Sequence, residues 1–261
     1  WSGPAQLQPV MRERFHYDWH WQWPYGNGDL GNQGVHQTDV ARWALGSMSL
    51  PRRAISVGGR FGYDDDGQTA NTQFCIYDYP EGLLIFEVQG LGLKAGMDAS
   101  PAYRGVRVGN VVECEGGYIA EAAAYDADGN RIKKFAFDGG GSHQANFIKA
   151  VRSRKTEDIA VNAHDGHLSA AICHVANISH RIGSYVTPEA AAEQLKENAA
   201  ALETFERFKE HLAANNVDLH DFRPTLGAVL EMDVEKEVFI GATAEAANKH
   251  LGRDYRTPFD I

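Results

Sequence analysis

Between Phe15 and Trp23 the chain alternates aromatic and polar groups. Phe15, Tyr17, Trp19, Trp21 and Trp23 fall on one side of an extended backbone, and His16, Asp18, His20 and Gln22 fall on the other. Period two with aromatic β-formers predicts a strand. The turn residues of Pro24–Asp29 end it. From about Gln33 the period lengthens: Asn32, His36, Asp39 or Val40, and Trp43 form one stripe of a helix that Gly46 stops. Ile55 to Phe137 then reads as short β-prone runs: AISVGGRFGY, NTQFCIYDY, GLLIFEVQGL, RGVRVGNVVECEG, GYIAEAAAY and RIKKFAF. DDDG, PEG and DADGN punctuate them, and the tight turns at Asp78–Gly82 and Asp126–Asn130 imply antiparallel hairpins. Such a series predicts a large, mostly antiparallel sheet with helices packed on one face.

The remainder is mainly helical in pattern. Residues 1–14 carry Pro4 and Pro9, lack periodicity and read as an extended arm. A helix starts in the stretch Gly139–Lys155, with Ser142 as its N-cap and Phe147, Ile148 and Val151 on its buried face. Ala163–Ile182 is a second helix, closed by Gly183, and Pro188–Asn215 a third, surface-packed one. The tail holds a strand at Glu237–Ile240, a short helix at Ala242–Leu251 and an extended end. With no internal repeat or low-complexity linker, residues 1–261 are expected to form a single α+β domain.

Composition narrows the function classes. Hydrophobic content of 43% and charged content of 23% are those of an ordinary globular chain. A net charge of −10 argues against a nucleic-acid or anionic-membrane partner, because no basic stripe is present to neutralise phosphates. The one brief basic cluster, Arg152, Arg154 and Lys155, runs straight into Glu157 and Asp158. No apolar run approaches the roughly 20 residues that a membrane span needs. Cys75, Cys114 and Cys173 lie far apart and read as free buried thiols, not as a disulfide framework or a zinc site. The chain opens at Trp1 without Met or any signal-like segment, so it reads as a fragment or processed product, and its compartment stays open.

Two glycine-rich stretches invite a dinucleotide-binding reading, and neither meets its requirements. Gly58–Tyr63 lies inside a β-run and opens no helix. Gly139–Gly141 lies between strand and helix, but Gln144 stands where the third glycine of the fingerprint belongs. His164, His167 and His174 raise the question of a metal; His174 is too far along its helix to share an ion easily, and no carboxylate completes a zinc set, so packed or pocket-lining histidines are preferred. Asn32 and His36 are the better constellation. Spaced i, i+4 beside a glycine-bearing turn, they pair an amide that can orient a hydroxyl with an imidazole that exchanges protons near neutral pH. The aromatic stretch before them, mixing Trp and Tyr with His and Asp, is of the kind that binds carbohydrate.

GDLGNQGVHQTDVARWALG resembles the signature of the Gfo/Idh/MocA oxidoreductases, and the resemblance continues through GYDDDGQT, SHQANFIKAVRSRK, HLSAAICHVANISHRIG and the tail. It implies the C-terminal α/β domain of an enzyme whose N-terminal Rossmann domain is not in this sequence. The family's E-K-P motif and glycine fingerprint are both absent. By this resemblance His36 is the acid/base for the hydroxyl being oxidised. Asn32 replaces the usual Asp and can only orient substrate, and Asp39 is the second acidic position, with a structural role. His20, Trp21, Trp23, Tyr25 and Asp29 line the substrate approach, with His167 among the pocket-lining groups. The implied activity is NAD- or NADP-dependent oxidation of a sugar or polyol, the cofactor being held by the absent domain, so that this chain alone carries none and does not turn over. Two alternatives are a domain of an NAD-dependent glycoside-cleaving enzyme and a stand-alone carbohydrate-binding or assembly module. Self-association through the open face of the sheet is also expected.

Overall fold

A computed structural model describes residues 2–136 and 141–259. The expected antiparallel α+β architecture is present, divided into two sheets. The main sheet takes β1 (Arg53–Gly59), β2 (Thr72–Tyr79) and β3 (Gly82–Gln89) from the middle of the chain. β8 (Ser184–Tyr185), β9 (Thr225–Leu226), β10 (Leu230–Asp233) and β11 (Val238–Ile240) come from its end. Its order is β11-β10-β1-β2-β3, with β9 on β1 and β8 on β9. The second sheet is a four-stranded meander of β4 (Val111–Cys114), β5 (Gly117–Ala120), β6 (Ala123–Asp126) and β7 (Arg131–Lys134). The six β-prone runs therefore do not share one sheet. RGVRVGNVVECEG supplies only four strand residues, because Arg104 and Gly105 sit at positive φ and turn the backbone before Val111.

Both expected hairpins form. Tyr79 pairs with Gly82, and the Asp126 carboxylate accepts the Asn130 backbone N–H at 2.8 Å across the turn between β6 and β7. Gly139 and Gly140 lie outside the described residues.

Seven helices, α1 (Gly28–Asn32), α2 (Gly34–Leu45), α3 (His143–Ser153), α4 (Ala163–Arg181), α5 (Pro188–Leu195), α6 (Ala199–Ala214) and α7 (Ala244–Asn248), complete the described fold. On β2, Cys75, Tyr77 and Tyr79 face the cluster formed with Leu168, Ile172 and Val175 of α4. Phe74 and Ile76 face Phe205, Phe208 and Leu212 of α6. Helices thus cover both faces over the middle strands, so β2 is buried along nearly its whole length and its alternation is lost.

Three further expectations are corrected. Phe15–Trp23 is no strand; it ends in a 3-10 turn, Asp18–Trp21, that buries His20. Pro188–Asn215 is two helices, because Asn198 N-caps α6 by accepting from Ala201 N–H at 3.0 Å. α6 is also a core element, not a surface one. α3 is capped by Ser142 as expected, yet Phe147, Ile148 and Val151 are exposed, since no described element packs on that face. Of the thiols, Cys75 and Cys173 are buried and Cys114 is exposed.

Candidate functional site

α2 is held on α4 by one buried cation. Arg42, 1% exposed, donates from Nη1 to Ser169 Oγ at 2.8 Å and to the Asp165 carbonyl at 3.2 Å, with the Asp39 carboxylate 3.6 Å away. Ser169 Oγ in turn donates to Asp39 at 2.7 Å, and the Thr38 hydroxyl donates to the Ser169 carbonyl at 2.9 Å. The Asn162–Asp165 capping box places Asp165 in the first turn of α4, so this network clamps the start of α4 to the middle of α2. Asp39 is accordingly engaged in helix packing.

The opposite face of α2 carries His36, Val40 and Trp43, the last two 43% and 64% exposed. Asn32 is exposed as well. The stripe seen in the sequence is therefore the outward face of the helix, while Gly34, Thr38, Ala41 and Arg42 turn inward. Asn32 and His36 are not on one continuous helix. α1 ends at Asn32, and the His36 N–H bonds to the Gln33 carbonyl at 3.2 Å, which steps the backbone between them.

The aromatic stretch forms a separate cluster. The His20 ring lies against Trp21 with centroids 3.9 Å apart, and its Nδ1 is 2.7 Å from the Tyr17 carbonyl oxygen. The Trp21 indole N–H donates to both oxygens of Asp29 at 3.3 Å, and the Arg60 guanidinium stands 5.8 Å from the Trp21 ring. Burial pushes the Asp29 carboxyl above its usual range, with the Trp21 hydrogen bond and the charges of His20 and Arg60 acting the other way. Two glycines make the packing possible. A Cβ on Gly26 would strike the His20 backbone, and Gly28, at φ +71°, abuts Thr69. Trp23 is covered by the Arg181 guanidinium at 5.0 Å, and Tyr25 lies 5.0 Å from that of Arg12. The aromatic faces expected to stack on a sugar are thus largely taken by cations and by His20.

Trp21 and Asp29 line a cleft of about 1790 Å³ that runs along β3 between α2 and α6; Gln33 and Gln37 reach it, whereas His36, Asn32, His20, Trp23 and Tyr25 do not. Of the expected site residues, His36 and Asn32 are thus on the outward surface at α2, Trp21 and Asp29 line the cleft, and His20, Trp23 and Tyr25 lie in the aromatic cluster without reaching it. His167 belongs to none of these, pairing instead with Glu237 at 2.6 Å. Sequence reasoning missed Arg42 and Arg60, which organise the two regions. Arg42 sits one residue from the motif's Trp43, but only its burial against α4 reveals its role.

No described group of three or more His, Cys, Asp or Glu side chains could hold a metal ion. Nor do Gly58 and Gly59 form a dinucleotide-binding loop. Gly58 and Gly59 are mid-sheet in β1 and open no helix, and a Cβ on Gly58 would meet the neighbouring strand at Gln73, so no ligand could approach there.

Over residues 1–209 the sequence matches the family model described as "Oxidoreductase family, C-terminal alpha/beta domain". No curated protein matches the chain. β9, β10, β11 and α7, which complete the main sheet, lie beyond the matched residues.

Proposed function

Because the chain belongs to the Gfo/Idh/MocA oxidoreductase family, as its C-terminal α/β domain, we propose that it is the substrate-handling part of an enzyme oxidising a sugar or polyol CH–OH group. One observation carries this reading. His36 shares the outward face of a clamped helix with Val40 and Trp43, whose apolar side chains are left uncovered. An imidazole beside uncovered apolar side chains on a rigid support is suited to a reaction chamber closed by a second body. His36 takes the hydroxyl proton as the carbon is oxidised, and Asn32 orients the hydroxyl by hydrogen bonding without exchanging a proton. The two-electron acceptor of this family, NAD or NADP, would be held outside these residues.

A panel of hexoses, pentoses and polyols, titrated while the His36 imidazole is followed by NMR, tests this. A saturable shift with at least one compound, weakened in Asn32→Ala, is expected. A compound that binds without moving the His36 signals would overturn the assignment. The chain alone is expected to form no NADH or NADPH from these compounds, and turnover at 340 nm would show that it carries its own cofactor site.

A further inference from the structure

The end of α4 and the tail of the chain bring two guanidiniums to one loop. Arg181, the last residue of α4, stands 5.0 Å over the Trp23 ring. Arg253, from the tail, donates from Nη1 to the Pro24 carbonyl at 2.9 Å. Each is held in place from behind. Asn177, one turn before Arg181, donates to the Asn27 carbonyl at 2.8 Å and fixes the end of α4 to the entry of α1. The Arg256 backbone N–H donates to the Pro4 carbonyl at 3.0 Å, and its Nε to that of Ala5 at 3.1 Å, which ties the tail to the N-terminal arm.

Neither cation has a counter-charge among the described residues. No ion pair there includes Arg181 or Arg253. Arg181 donates no hydrogen bond to a described residue, and Arg253 donates none from Nη2 or Nε. Two histidines adjoin them: His174, two turns back along the same face of α4, and His250 in the tail. The charges acting on these groups are all positive. Partial burial and then Arg253 push Arg181 below its usual range, and partial burial followed by Arg253 and His167 does the same to His174. Partial burial and then Arg181 lower His250. Like charges gathered in this way repel one another. A guanidinium fork with unmet N–H groups matches the oxygens of a phosphate or carboxylate, whose charge removes that repulsion.

We infer that Arg181 and Arg253, with His174 and His250 beside them, form a binding site for an oxyanion group, phosphate or carboxylate, at the Trp23–Pro24 loop. The two guanidiniums grip the anion from α4 and from the tail, and the anion in turn locks the tail onto α4. The site does not depend on the role given to His36, so either assignment can fail without the other.

Titration with inorganic phosphate at constant ionic strength, set with chloride, tests it, the imidazole signals being followed by NMR. Saturable shifts at His174 and His250 are expected. Arg181→Gln/Arg253→Gln is expected to bind phosphate at least tenfold more weakly. Arg181→Lys/Arg253→Lys, which keeps the charges without the forks, should fall between that variant and wild type. Arg52→Gln/Arg53→Gln, which removes the same charge from two exposed arginines at the start of β1, should bind as wild type does. All four arginines are exposed, and unchanged melting curves will show that folding is intact. Glucose 6-phosphate against phosphate, and glucuronate against acetate, identify the source of the anion. Binding at least tenfold tighter for the sugar acids means that a sugar carries the group, and equal binding means a free ion; both keep the site. No saturable shift up to about 50 mM phosphate, where even millimolar binding would be complete, would overturn the proposal. So would wild-type binding by Arg181→Gln/Arg253→Gln, or an equal loss in Arg52→Gln/Arg53→Gln, which would mean that net charge alone attracts the ion.

Discussion

Replacing Arg42 tests whether the α2–α4 clamp is what holds the candidate site. The Arg42→Met variant keeps the length of the stem and removes the guanidinium. Two hydrogen bonds from Nη1 go, to Ser169 Oγ at 2.8 Å and to the Asp165 carbonyl at 3.2 Å, together with the 3.6 Å approach to Asp39. Bonds involving a charged group are worth about 1.5–3 kcal/mol each. Against that, a guanidinium buried to 1% exposure has lost its hydration, and Arg42 Nε makes no hydrogen bond among the described residues. Such desolvation can cancel much of the gain.

What the substitution leaves behind decides the balance. Ser169 Oγ keeps its bond to Asp39, and the Asp39 and Asp165 side chains, 24% and 22% exposed, can recover water. A net loss of about 2 kcal/mol is expected for Arg42→Met. Arg42→Ala also loses two buried methylenes and leaves a cavity, for about 4 kcal/mol in all. In a domain of this size these correspond to falls of roughly 4–8 and 8–16 °C in Tm. Urea denaturation at pH 7 measures both, with the His36 NMR signals as a second readout, since a loosened α2 shifts them. An Arg42→Met protein as stable as wild type, with His36 unmoved, would show that desolvation outweighs the bonds and that the helix is held by apolar packing alone.

Other expected outcomes follow from the same contacts. Burial pushes the His180 imidazole down from 6.5 to about 4, so the folded protein binds a proton there less readily than the unfolded chain. Stability should therefore fall as pH drops below about 6.5 and level off near 4, by roughly 3 kcal/mol; His180→Gln should flatten that part of the urea-midpoint profile, and an unchanged slope would refute it. Asp29 has the opposite sign, its carboxyl raised by burial, so Asp29→Asn should raise the denaturation midpoint at neutral pH, where the carboxylate is charged, while retaining an acceptor for the Trp21 indole. Gly26→Ala forces a methyl into the His20 backbone and should cost more than about 2 kcal/mol, with loss of the near-UV signal of the Trp21 cluster. His36→Ala, on an exposed face, should stay within about 0.5 kcal/mol of wild type in the same melts while weakening sugar binding measured by titration calorimetry.

The elements legible in the sequence were those whose signal is local. Ser142 caps its helix, Gly183 closes α4, and the turns at Asp78–Gly82 and Asp126–Asn130 make their hairpins, because caps and turns are settled within a few residues. The motif from Gly28 to Gly46 identified the family for a similar reason, since its glycines and its histidine stand at fixed offsets. Tertiary structure decided the rest. Aromatic alternation at Phe15–Trp23 could not become a strand without a partner edge, and it coiled around His20 and Asp29 instead. The α3 period predicted a buried face, but periodicity says which residues lie together and not whether anything covers them. The stripe through His36 was readable as a stripe, whereas its outward direction was set by Arg42, Ser169 and Asp39 meeting across 130 residues of chain. Which edge of which sheet stays open depends likewise on how strands from the two ends of the chain pair, a choice that no local pattern encodes.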